Sequence, residues 1–92
     1  MAKVIITLKI MPQGTDTDLS ELQKAILGKI NLMYGDTETK VAEKPIAFGL
    51  KALEIMFVMD ESRGSTDALE KDIAGLDGVN SVDVTDVRRS IG

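Results

Sequence analysis

The stretch Lys44–Asp60, KPIAFGLKALEIMFVMD, decides the fold. Pro45 and Gly49 bracket an Ile46-Ala47-Phe48 tip. From Leu50 the text is almost wholly apolar until Asp60. Leu53, Ile55, Phe57 and Met59 share one face at period 2. Ala52, Met56 and Val58 occupy the other, interrupted by Glu54. A strand apolar on both sides belongs in the middle of a sheet. It is therefore read as the central strand, with Phe48 displayed at its start.

Working outward, Lys3–Met11 reads as the first strand. Val4, Ile6, Leu8 and Ile10 line one face, and Ile5, Thr7, Lys9 and Met11 the other, until Pro12-Gln13-Gly14 stops it. Thr15–Asp18 offers N-cap oxygens, and Asp18 with Glu21 has capping-box spacing. Leu19, Leu22, Ile26 and Ile30 then recur on one helical face, with Lys24 and Lys29 toward the helix end. Gly28 within that helix costs roughly 1 kcal/mol relative to Ala. Asn31–Asp36 reads as a connector, and Thr37–Ala47 as a polar edge strand whose charges and Pro45 deter unwanted pairing. Asp60–Gly64 is a charged turn. Ser65 and Thr66 cap a second helix with the core stripe Leu69, Ile73 and Leu76, which Gly75, Asp77 and Gly78 end. Val79–Val87 is the last strand, trailed by Arg88, Arg89, Ser90, Ile91 and Gly92.

The order β-α-β-β-α-β predicts an α+β fold, a ferredoxin-like sandwich. Its four-stranded antiparallel sheet has the order 4-1-3-2, with both helices on one face. The two most apolar strands, first and third, then fall in the middle, and the two wetter ones at the edges. The face away from the helices is expected to be partly exposed and apolar, a pattern that marks partner sites.

The 92 residues suffice for one small domain spanning 1–92. The chain has no Cys and no His, which removes thiolate and imidazole chemistry from consideration. No metal site and no cofactor are expected. The net charge of −4 lacks the basic footprint of a nucleic-acid binder. No apolar run is long enough for a bilayer, and MAKVIITLKIM carries Lys9 inside a strand-like run rather than a cleavage site. A cytoplasmic monomer is the default expectation.

Three features invite a functional reading. Phe48, with Gly49, either tucks back into the core, the commoner arrangement, or forms an aromatic anchor for a partner. Arg88-Arg89 is the only adjacent Arg pair in an acidic chain. It is either a solvated end or a cationic probe for carboxylate or phosphate. Asp60-Glu61, Asp83 and Asp86 are acidic groups of the kind that hold Mg²⁺. Yet Asp83 and Asp86 differ by an odd step and point to opposite sides of a regular strand, which favours a solvated face. Phosphate-binding glycine loops and stacking-aromatic RNA motifs are absent.

Pro45-Ile46-Ala47-Phe48-Gly49-Leu50-Lys51-Ala52-Leu53, followed by an apolar strand, resembles the segment common to the translation elongation factor 1-beta family. So does the close Val79-Asn80-Ser81-Val82-Asp83-Val84 with a basic residue near the chain end. The length and the opening Lys3-Val4-Ile5-Ile6 resemble the short archaeal form. The resemblance implies a guanine-nucleotide exchange factor for the GTPase elongation factor 1-alpha, without covalent chemistry. It implies partner contacts at Phe48, with Gly49 and Lys51 beside it, and at Arg89, with Arg88 beside it, directed toward the Mg²⁺ and phosphate site. Arg stands where the eukaryotic relatives have Lys, and Ser90-Ile91-Gly92 extend the tail. In the expected sheet, tip and tail lie at opposite ends, roughly 25–30 Å apart at about 3.3 Å per residue. The alternatives on the same fold are a small regulatory or ligand-binding module, an acylphosphatase-like hydrolase and an RNA binder. The hydrolase lacks its Arg in Pro12-Gln13-Gly14-Thr15.

Overall fold

Lys51–Asp60 (strand β3) is paired along both edges, as a strand apolar on both faces requires. The structure is a computed structural model and describes residues 3–35 and 37–90. Around β3 stand β1 (Lys3–Pro12), α1 (Leu19–Tyr34), β2 (Thr39–Pro45), α2 (Asp67–Ala74) and β4 (Val79–Ser90). Short 3₁₀ turns lie at Ala47–Gly49 and Glu61–Arg63. The four described strands form one antiparallel sheet in the order β2-β3-β1-β4, the expected 4-1-3-2. This is the ferredoxin-like α+β sandwich.

The core lies between the sheet and the two helices. Ile6, Leu8 and Ile10 from β1 and Leu53, Ile55, Phe57 and Met59 from β3 meet Leu22, Ile26 and Ile30 of α1 and Leu69 and Ile73 of α2. These are the period-2 and period-3.6 stripes read from the sequence, except that Val4, Leu19 and Leu76 of those stripes are only partly buried against the core. Each fully buried aliphatic or aromatic side chain contributes about 1.5–3 kcal/mol over leaving it exposed. The cap of α1 is in place, whereas Thr66, at the N-cap position of α2, makes no side-chain bond to a backbone N–H. Asp18 Oδ1 accepts the backbone N–H of Ser20 at 3.1 Å and of Glu21 at 3.2 Å. The Thr66 hydroxyl donates to Glu70 at 2.8 Å.

Besides shorter ends for β2, Thr39–Pro45 instead of Thr37–Ala47, and for α2, which stops before Leu76, three features differ from the sequence expectation. Asn31–Tyr34 is not a connector but the last turn of α1, closed by Gly35, whose N–H donates to the Asn31 carbonyl at 2.9 Å. The reason is Tyr34, which stacks on Phe57 and so holds that turn against the sheet. Lys29 consequently lies before the last turn, which carries no basic residue. Asp36 lies outside the described residues.

The second difference is β4, which runs past Val87 through Ser90. Arg88 and Arg89 are strand residues opposite Ile5 and Val4 rather than a trailing tail. Ile91 and Gly92 lie outside the described residues. Third, Asp83 and Asp86 do not point to opposite sides. Leu8 pairs with Val84, but Thr7 pairs with Asp86, so Thr85 is an extra residue in a β-bulge. Asp83 pairs with Lys9 and Asp86 with Thr7, which puts both carboxylates on the face away from the helices.

That open face is apolar only in part. Ile5, Met11, Met56 and Val58 are half-buried there. Lys9, between Glu54 on β3 and Asp83 on β4, sets a cross-strand row of alternating charge among them.

Candidate functional site

The β2–β3 connection is built to present a side chain. Ile46 N–H donates to the Leu50 carbonyl at 2.8 Å, and Leu50 N–H to the Ala47 carbonyl at 3.2 Å. These bonds close a three-residue tip that needs two consecutive left-handed residues. Gly49 takes φ 77° without cost, but Phe48 takes φ 61°, ψ 31°. It is the one non-glycine residue with positive φ among the described residues. A bulky residue there is sterically strained by roughly 1–2 kcal/mol. Phe48 is also 94% exposed. Of the two readings of Phe48, the one that tucks it into the core fails, because the left-handed tip leaves its side chain in solvent.

The tip is backed by the β1–α1 loop. A Cβ on Gly49 would stand 3.7 Å from Thr15 Cγ2. An open depression of about 440 Å³ lies alongside, lined by residues that include Thr15, Asp18, Glu43, Gly49 and Lys51. Lys51 Nζ lies 3.9 Å from Glu43 Oε1, both exposed on adjacent strands. Gly49 and Lys51 are thus brought together with Phe48.

Arg88 and Arg89 are at the other end of the sheet. Lys51 pairs with Pro45 at the tip, whereas Asp60 pairs with Lys3, and Lys3 with Ser90. Along β3 from Lys51 to Met59, the row that Arg89 shares, eight steps span roughly 26 Å. The two arginines also part company. Arg88 is on the open face, its Nε 2.8 Å from Asp86 Oδ2. Arg89 is on the helix side, and its Nη2 bonds Glu61 Oε1 in the turn after β3. The Thr85 bulge sets this division. A regular ladder would have moved Arg88 to the helix side.

Glu61 escaped the sequence reading as a partner of Arg89. The two are 28 residues apart. The signal was there only through topology, since the order 4-1-3-2 brings the C-terminal ends of β3 and β4 to the same end of the sheet.

The Asp60 carboxyl is displaced from its ordinary value. The Ser62 backbone N–H, then the Ser62 hydroxyl, hold its carboxyl below the ordinary carboxylate value, helped by Lys3. Among the described residues no three His, Cys, Asp or Glu side chains gather as a metal site, and no charged side chain is buried. No described helix is long and apolar enough to cross a membrane.

Fold and surface together define a class: a small ferredoxin-like domain whose distinctive side chains are exposed at its two ends. The EF-1 guanine nucleotide exchange domain model matches residues 5–89. Elongation factor 1-beta of Methanothermobacter thermautotrophicus is 44% identical over 97% of this chain and 98% of its own length. That of Methanobrevibacter smithii is 43% identical over 97% and 98%. Among solved structures, the de novo designed protein Foldit4 superposes with TM-score 0.68 at 18% identity, covering 98% of each chain. LarC2, the C-terminal domain of a cyclometallase, superposes with TM-score 0.65 at 10% identity, over 99% of this chain and 58% of that one. These two share the fold alone. The chain belongs to the EF-1 guanine nucleotide exchange domain family. Its function is guanine-nucleotide exchange in translation elongation.

Proposed function

We propose that residues 1–92 act as one exchange domain on the GTPase elongation factor 1-alpha in the cytoplasm, as a monomer that grips its client at two ends and makes or breaks no covalent bond. Phe48, with Gly49 and Lys51, docks on one part of the GTPase. Arg89 approaches the bound GDP and Mg²⁺, while Arg88, its neighbour in the chain, contacts the client from the opposite face of the sheet. The observation that carries this reading is Phe48. A ring that is strained by its backbone and 94% exposed contributes nothing to the fold. Strain maintained without a packing reward marks a functional position.

The chemistry follows from linkage. A factor that binds the nucleotide-free GTPase better than the loaded form lowers nucleotide affinity by the same ratio. A guanidinium brought near Mg²⁺ disfavours the ion by like-charge repulsion and offers planar donors to phosphate oxygens. The span of roughly 26 Å between tip and tail suits a wedge across two surfaces of one client better than a single pocket.

The test is stopped-flow release of fluorescent GDP from the GTPase. Phe48→Ala raises the half-saturating concentration of the factor. Arg89→Ala lowers the limiting release rate toward that of the GTPase alone. Wild-type release by Arg89→Ala refutes the role given to Arg89.

A further inference from the structure

We infer that Glu61 is a positioning residue for Arg89, holding its guanidinium over the end of the sheet before the client arrives. The inference rests on the role proposed above for Arg89.

Arg89 is near the end of β4, the edge strand, where a long side chain has solvent on one side. It shares a row with Val4 on β1 and Met59 on β3. The chain leaves β3 at Asp60 and turns at once, so Glu61 stands past the end of that row, two strands from Arg89. The Arg89 Nη2 donates to Glu61 Oε1. That contact draws the guanidinium inward across β1 instead of leaving it to sweep the free edge.

The turn that carries Glu61 is itself fixed. Asp60 Oδ1 accepts both the Ser62 N–H and the Ser62 hydroxyl at 3.1 Å, and Gly64 N–H donates to the Glu61 carbonyl at 3.3 Å. Gly64 closes it with φ 79°. A carboxylate on a pinned turn is a fixed reference point for a mobile cation.

The pair is exposed, at 68% for the Arg89 side chain and 40% for that of Glu61, so water screens it and it adds little to the stability of the fold. Its effect is on orientation. Arg has five N–H donors in a rigid fork, and Glu61 engages Nη2. The remaining donors stay free for a phosphate or carboxylate oxygen. A guanidinium already confined loses less rotamer freedom when the client binds. Arg88, tied to Asp86 on the open face, has no such alignment toward the helix side.

The experiment measures limiting release rate and half-saturating concentration separately, with fluorescent GDP on the GTPase, for wild type, Glu61→Gln, Glu61→Asp, Arg89→Ala and the double variant Glu61→Gln/Arg89→Ala. Glu61→Gln is expected to lower the limiting rate about threefold or more with half-saturation unchanged. Glu61→Asp, which keeps the charge, recovers part of that loss. In the Arg89→Ala background Glu61→Gln changes nothing further. A limiting rate for Glu61→Gln equal to or above wild type overturns the inference. So does an effect of the same size with Arg89 absent, which leaves the role of Arg89 itself standing. Wild-type release by Arg89→Ala removes both.

Discussion

The ring of Tyr34 stacks on that of Phe57, with centroids 5.4 Å apart and planes inclined by 29°. Tyr34 is the last residue of α1, and Phe57 is fully buried in the central strand. The contact ties the end of the longest helix to the middle of the sheet. The chain has three aromatic residues. Two of them make this contact, and the third, Phe48, is the exposed tip.

Removing either ring weakens the domain unequally. Tyr34→Leu keeps the bulk but loses the stacking, at a cost of about 1 kcal/mol. Phe57→Ala opens a cavity at the core and costs about 3–5 kcal/mol. Urea unfolding followed by circular dichroism checks both. No loss from Tyr34→Leu would show that α1 is not anchored through Tyr34.

Gly28 and Gly49 respond oppositely to Ala. A Cβ at Gly28 meets nothing within 4 Å, and its backbone is helical. Gly28→Ala therefore raises stability by about 1 kcal/mol. Gly49 has φ 77°, so Gly49→Ala lowers stability by about 1 kcal/mol although its Cβ would meet only an ordinary contact with Thr15. Opposite shifts of the urea midpoint are the expected result.

Phe48→Gly separates folding from docking. Relief of the left-handed strain, about 1–2 kcal/mol, is offset by the more flexible unfolded chain. The urea midpoint thus moves little, by the equivalent of less than about 1 kcal/mol. Affinity for the nucleotide-free GTPase, measured by calorimetry, falls by about 2 kcal/mol or more if the ring is a central anchor. Unchanged affinity would dismiss the tip as a contact.

Asp60 makes the turn after β3 sensitive to acid. Its folded-state pKa lies below the ordinary value of 3.8, which the unfolded chain keeps. Its stabilising contribution is therefore complete above that ordinary value and is lost as pH falls through the depressed folded one. Asp60→Ala is expected to be less stable than wild type at neutral pH. The difference shrinks to nothing in strong acid, where the wild-type carboxyl is protonated too. Carbon-detected NMR titration of the Asp60 carboxyl reads the shift directly. A midpoint above 3.8 would contradict it.

The element order, the sheet order and the buried stripe were legible in the chain. Leu53, Ile55, Phe57 and Met59 repeat at period 2, and Leu22, Ile26 and Ile30 recur on one helical face. Burial on one or two sides leaves that imprint on composition. The end of α1 was harder to read. Asn31 and Leu32 interrupt the stripe, and Tyr34 finds its reason for being helical only on Phe57, far away in sequence. The end of β4 was hidden by Thr85. One extra residue breaks the alternation of Val82 and Val84 and shifts Val87 by an odd step, so the pattern stops where the strand continues.

The residues Phe48, Gly49, Lys51, Arg88 and Arg89 were all visible as candidates. Their surroundings were not. A Phe beside a Gly fits a core or a surface equally well by composition, and only the left-handed tip decides that its ring faces solvent. Two adjacent arginines look equivalent in one dimension, whereas the bulge gives each its own face and its own carboxylate. Periodicity is a local property that the chain writes residue by residue. Which side chains meet depends on strand register and on what crosses the ends of the sheet, and those are settled only when distant segments pair.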